Sequence, residues 1–198
     1  MDAWSYIAST RDAAAREKLL QGKLFKYTCP VCGTTTTMAH NCIYHDTERN
    51  TFLLYSTRRE AQAECEHTLD ELVRKAADAN GHDPASYQKR IVFTTFEFCE
   101  KARILADGYD DRVIELMKVA IKRGMLEDGI IGARDILIYE RTMEDTGGVS
   151  FVVTGEIPGD VVGVPQGYTY LKDQWEEVLD QLTDEYRFDA AWANAFLP

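Results

Sequence analysis

One short motif constrains this chain more than any other: Tyr27-Thr28-Cys29-Pro30-Val31-Cys32-Gly33. A gap of two residues lets both sulfurs point at one ion about 2.3 Å away. Pro30 presets a turn dihedral, and Gly33 accepts the positive φ that often follows a second ligand. The runs on either side, Leu24–Tyr27 and Thr34–Met38, are strand-like, so the motif is expected at the tip of a β-hairpin, as in half of a zinc ribbon. A structural zinc site takes four ligands, yet the 198 residues contain no second C-x-x-C. Three explanations stand open. The chain begins inside the module, with the other knuckle upstream of Met1. The knuckle is a relic or a half site. Or His40, Cys42 or His45, on one long outgoing strand to Asp46, completes it. Alternation on that strand places His40 and Cys42 on one face and His45 on the other. A Cys29/Cys32/His40/Cys42 site then requires the strand to fold back, which nothing local enforces, so the half site is the preferred reading.

The remaining cysteines, Cys65 and Cys99, lie on helical patterns and read as small buried thiols. Five cysteines is an odd number, and the opening MDAWSYIASTRDAAAREK has no apolar run behind a basic head. Free thiols in a reducing, cytoplasmic setting are expected rather than a disulfide framework. No run reaches the roughly 18 apolar residues of a membrane span, so no membrane association is expected. With 22 basic and 33 acidic side chains the formal charge is −11, which opposes a primary role in gripping phosphate backbones. The acid is unevenly spread. Residues 156–198 hold nine acidic and two basic groups, whereas residues 1–46 hold four and five, a net +1.

Periodicity predicts an α+β fold: a degenerate zinc-ribbon-like hairpin module over residues 1–57, then a mixed α/β body over 58–198. In the first part a helix is expected over 11–22, capped by Thr10 or Asp12, and a strand over 51–55 after a turn at Glu48-Arg49-Asn50. In the body, helices are expected over 58–79, 96–108 and 110–123, the last ended by Gly124, with a strand at Arg90–Phe93. For the helix over 110–123 the inward positions are Val113, Leu116, Met117, Ala120 and Ile121. Strands over 135–141 and 149–154 are joined by Asp145-Thr146-Gly147-Gly148 as a hairpin turn. A third strand over 161–165 and C-terminal helices over about 170–182 and 184–196 follow.

Two other groups carry potential chemistry. His45 beside Asp46 has the composition of a metal ligand or an acid–base pair, although adjacent strand residues face opposite ways, and a strand-end His bonded to backbone is the plainer reading. Asp111 and Glu115, four apart, share a helix face near Asp110, and paired carboxylates can hold a divalent cation. Acids in a first helical turn are also expected from the helix dipole alone, with Arg112 or Lys118 pairing with Glu115 at the surface. Arg90, ahead of a strand, could meet this acidic face.

Together these pieces resemble the CpXC family, named for two C-P-x-C knuckles. The resemblance runs from Lys18-Leu19-Leu20-Gln21-Gly22-Lys23-Leu24-Phe25 and the knuckle through Tyr44-His45-Asp46 and Arg90-Ile91-Val92 to Gly108-Tyr109-Asp110-Asp111-Arg112-Val113-Ile114-Glu115-Leu116-Met117-Lys118. It spans about residues 4–123; residues 124–198 are left unassigned. It implies a zinc-ribbon start with a further cysteine pair just upstream of Met1, and it assigns no reaction.

The leading functional expectation is a non-enzymatic binding or regulatory module with a partial zinc knuckle. It would contact a partner protein or assemble with its own copies through the half site. Zinc, held by Cys29 and Cys32 and, in the completed version, by His40, Cys42 or His45, is the one cofactor expected. A metal-dependent hydrolase built on Asp110, Asp111 and Glu115 with His45 is the alternative. Nucleic-acid binding through Lys18, Lys23 and Lys26 comes third, against the overall charge.

Overall fold

The structure, a computed structural model, describes residues 4–154, 161–164, 167–182 and 185–197. The chain divides into two compact units, Met1–Ala102 and Arg103–Pro198. The boundary expected near residue 57 falls inside the first of them.

The first unit contains β1 (Tyr6–Ala8), α1 (Ala13–Leu20), β2 (Lys26–Thr28), β3 (Thr35–Thr37), β4 (Cys42–Asp46), β5 (Thr51–Tyr55), α2 (Gln62–Asn80), β6 (Gln88–Val92) and most of α3 (Thr95–Ala106). Four strands form one sheet in the order β1-β4-β5-β6. β4 and β5 are an antiparallel hairpin, while β1 pairs parallel to β4 and β6 parallel to β5. Every residue of β5 is buried, which explains its nearly unbroken apolar run, Thr51-Phe52-Leu53-Leu54-Tyr55: a strand covered on both faces has no reason to alternate. The turn between β4 and β5 uses Asn50 at φ 48°, a left-handed conformation that asparagine tolerates.

The helices of this unit follow local rules. On α2 the buried positions are Cys65, Leu69, Val73 and Ala77, one residue per turn. α3 begins with reciprocal capping: Glu97 N donates to Thr94 Oγ1, and Phe93 N donates to Glu97 Oε2. For α1 the cap differs from expectation. Asp12 is the N-cap, but its carboxylate accepts from Ala8 N and from Arg11 rather than from the first turn of the helix. The core gathers Ile7, Leu19, Phe25, Leu53, Tyr55 and Phe98.

The knuckle is where the strand pattern misleads. β2 and β3 pair antiparallel over Lys26↔Thr37, Tyr27↔Thr36 and Thr28↔Thr35, as a hairpin separate from the four-stranded sheet. The expected continuous strand to Asp46 is broken between Thr37 and Cys42. Residues 38–41 carry the chain from the small hairpin to the sheet, and Met38 N donates to Phe25 O at the crossing. Alternation therefore does not run through His40 to Cys42, because the two residues are not on one strand.

The second unit holds α4 (Asp111–Glu127), β7 (Ile136–Thr142), β8 (Val149–Thr154), β9 (Val161–Val164), α5 (Gly167–Leu179) and α6 (Ala190–Phe196). Its sheet is antiparallel in chain order, β7-β8-β9. The β7–β8 turn has Gly147 at φ +64° and a bond from Met143 N to Gly148 O. Ile104, Val113, Met117, Tyr139 and Phe151 centre the core. α4 is longer than expected. It passes through Gly124 to Glu127, because a single glycine costs less than the backbone bonds of a helix that continues, and the chain turns instead at Gly129, φ +67°. Val113, Leu116 and Met117 are buried and Ile121 half-buried as expected, but Ala120 is exposed. Pro165, expected in the third strand, and residue 184, at the start of the last expected helix, lie outside the described residues. Among the described residues no helix is long and apolar enough to cross a membrane.

Candidate functional site

Cys29 and Cys32 sit at the tip of the β2–β3 hairpin. Cys29 N donates to Thr34 O and Gly33 N donates to Cys29 O, both at 2.9 Å, so the loop closes on itself. Gly33 at φ +71° reverses the chain without the strain a side chain would add there. The two thiols are within hydrogen-bonding reach of each other, Cys29 half-buried and Cys32 exposed. Bonds from Thr34, then the Cys29 thiol, lower the Cys32 pKa from 9.0 to about 7. Pro30 is exposed, and Val31, between the two cysteines, is 93% exposed.

The other sequence-predicted ligands do not join this pair. His40 has Nδ1 3.1 Å from Met38 O and Nε2 3.1 Å from Trp4 O, so both ring nitrogens face backbone carbonyls. Cys42 is 1% exposed, packs in the same core as Cys99, and is pushed up to about 12, chiefly by burial. His45 stacks on its cross-strand neighbour Phe52, ring centroids 3.9 Å apart, with Nδ1 2.8 Å from the Tyr6 hydroxyl. Its ring nitrogen thus meets a side chain where a backbone bond was expected. Among the described residues no group of three or more His, Cys, Asp or Glu side chains is placed to hold a metal ion.

Asp46 organises the turn it opens. It is fully buried; Oδ1 accepts from Glu48 N and Arg49 N, and Oδ2 from Arg49 Nη1 at 3.3 Å and Tyr44 Oη at 3.4 Å. Arg16 Nε in turn donates to Tyr44 Oη. This is the work of a carboxylate that fixes a strand end, and it leaves no lone pair aimed at solvent. Arg90 on β6 is buried and donates from Nη1 to Lys89 O.

The acidic helix is also built differently from its surface reading. Asp110 caps α4, accepting from Arg112 N, and forms a two-pronged pair with the Arg112 guanidinium. Arg112 therefore pairs with Asp110, not with Glu115, and its Nη1 also donates to Leu179 O at the end of α5. Asp111 and Glu115 are buried, whereas dipole-compensating acids are expected at the surface; Glu115 pairs with Lys118 at 3.2 Å. Tyr168 Oη accepts from Asp110 N and ties α5 to the same turn. His67, as expected for a solvated face, is exposed and 3.7 Å from Glu71.

A feature that no motif marked is a half-open cleft of about 330 Å³ in the first unit, lined in part by Asn41, Cys42, Ser56, Arg58, Glu64 and Cys65. Its walls come from β4, β5 and the start of α2, so no linear spacing encodes it. Arg58 on its rim is already shared between Glu60 and Glu64.

A model of the family of CpXC proteins matches residues 1–118, more than half of the chain. The chain belongs to the CpXC family. The match ends within α4, so the second unit beyond Lys118 lies outside it. No curated protein and no solved structure matches the chain. Within the CpXC segment, the knuckle at Cys29 and Cys32 is the one C-P-x-C present.

Proposed function

We propose that this CpXC chain is a non-enzymatic binding or regulatory module. Its contact point is the hairpin tip, a degenerate zinc ribbon in which Cys29 and Cys32 hold zinc as half of a four-ligand site. The observation that carries this reading is the contrast between two mutually adjacent thiols, Cys29 half-buried and Cys32 exposed, and the bonded or buried state of the other candidates. Two thiols in reach of each other, one readily deprotonated, suit Zn²⁺, which binds thiolates. They supply two of the four ligands a structural site takes, so the fit is to half a site. Bound there, zinc would act as a structural clamp.

The hydrolase reading has less support. Asp110 caps α4, Asp111 is buried, Glu115 is paired with Lys118, and His45 is stacked and bonded to Tyr6. The nucleic-acid reading has exposed Lys18, Lys23 and Lys26 on its side and the net charge of −11 against it.

Elemental analysis of the purified chain tests the proposal. Zinc is expected to co-purify with the protein and to be lost in Cys29→Ser and in Cys32→Ser. A wild-type chain that takes up no zinc when the metal is supplied in excess contradicts it.

A further inference from the structure

We propose that a second copy of this chain completes the site, so that Cys29 and Cys32 of two chains hold one zinc ion between their hairpin tips. This rests on the reading of the cysteine pair as a zinc half site, and it names the partner of that site. The first argument is ligand number. Two thiolates leave half of a tetrahedron open, and two identical half sites related by a twofold axis close it with four sulfurs.

The second argument is that the neighbouring donors of the same chain are committed elsewhere. His40 faces two backbone carbonyls, Cys42 is packed in the core, and His45 is stacked on Phe52 and bonded to Tyr6. Releasing any of them would break a formed contact, whereas a second tip brings two thiols that are already paired.

The third argument is access. Pro30, Val31, Cys32 and Gly33 are exposed, as are all three residues of β3, so the tip stands clear of the rest of its unit. Val31 lies between the ligands, and its exposed side chain gives two facing tips an apolar contact beside the metal. The fourth argument is charge. Residues 1–46 carry a net +1 in a chain of −11. Two copies meeting here bring together segments of nearly balanced charge, which adds little repulsion. The exposed Lys26 on β2 partly offsets the surplus negative charge of four thiolates around one dication. On binding, each coordinating thiol gives up its proton to solvent.

The experiment measures zinc content and solution mass together on the full chain. Chain freed of metal is titrated with Zn²⁺ and followed by light scattering after size exclusion. The expected result is saturation at about one zinc per two chains with a doubling of mass. A strong chelator should restore the monomer, and Cys29→Ser and Cys32→Ser should remain monomeric. Cobalt in place of zinc should give the intense thiolate-to-metal absorption of a tetrahedral all-sulfur site. Circular dichroism of the serine variants checks that they fold, which the exposure of the tip favours. One zinc per monomeric chain overturns the shared site while leaving the zinc-binding reading of Cys29 and Cys32 intact. No zinc uptake overturns both. A dimer that persists in chelator, or in the folded Cys32→Ser variant, overturns the shared site.

Discussion

The Tyr6 hydroxyl lies 2.8 Å from His45 Nδ1, a bond between the edge strand β1 and the adjacent strand β4. It fixes the imidazole against Phe52 in a setting where His45 is only 7% exposed. Burial pushes the His45 pKa below its ordinary 6.5, with the Asp46 charge pulling partly the other way. The native state therefore keeps His45 neutral while the unfolded chain protonates it near 6.5. Below that pH the unfolded state binds more protons, so stability falls. The contribution is fully present above 6.5 and is lost as the pH drops through the native value. Urea midpoints measured between about pH 7 and pH 5 should decline in the wild type, and His45→Gln should flatten that decline. An unchanged slope in the variant would assign the pH dependence to other groups.

The cysteines should separate cleanly by reactivity. The thiolate is the nucleophile, and Cys32 is exposed with its pKa lowered to about 7, first by Thr34. Cys42 is buried and raised to about 12. Brief treatment of the metal-free native chain with iodoacetamide near neutral pH should label Cys32 first, and Cys42, Cys65 and Cys99 only after unfolding. Thr34→Val should slow the labelling of Cys32. Peptide mass mapping reads both outcomes, and early modification of Cys42 would contradict the burial described for β4.

The contrast between these two thiols shows what a linear reading reaches. The hairpin at Cys29 and Cys32, the α2 stripe and the Gly147 turn are set by interactions within a few residues, so spacing and turn chemistry suffice to place them. The break at residues 38–41 is not local. It exists because the small hairpin and the four-stranded sheet are separate units of hydrogen bonding, and no residue in that stretch is a strong breaker. The burial of Asp46, Asp111 and Glu115 was likewise illegible. An acid at a turn or in a first helical turn has the same sequence signature whether it faces water or a set of donors. The pairing of Arg112 with Asp110, where a three-residue spacing points to Glu115, comes from the cap. Once Asp110 holds Arg112 N, the guanidinium beside it is already in reach.

In the second unit, Tyr139 is fully buried and donates a 2.6 Å hydrogen bond to Asp107 just past the end of α3. Burial first, and this bond second, raise the Tyr139 pKa above 10.0. Tyr139→Phe keeps the ring packing against Tyr109 and Phe151 and removes only the hydroxyl. The hydroxyl also takes a bond from the Thr142 side chain; Asp107 is exposed and regains water and Thr142 is half-buried, so the expected loss is about 1–2 kcal/mol, the ordinary net value of two hydrogen bonds. Denaturant unfolding measures it. A loss several times larger would mean that the hydroxyl organises more than these two bonds.

Gly124 offers a stabilising change. It lies inside α4 rather than at its end, its φ is not in the left-handed region, and a Cβ built there meets nothing within 4 Å. A glycine in a helix interior has more backbone freedom to lose than any other residue, and none of that freedom is used here. Gly124→Ala should therefore raise the stability of the second unit by about 0.5–1 kcal/mol. The contrast with Gly129, at φ +67°, makes the test specific: alanine there meets the strain of a left-handed residue and should destabilise. Thermal unfolding of the two variants beside the wild type separates them, and equal losses in both would place the end of α4 at Gly124 instead.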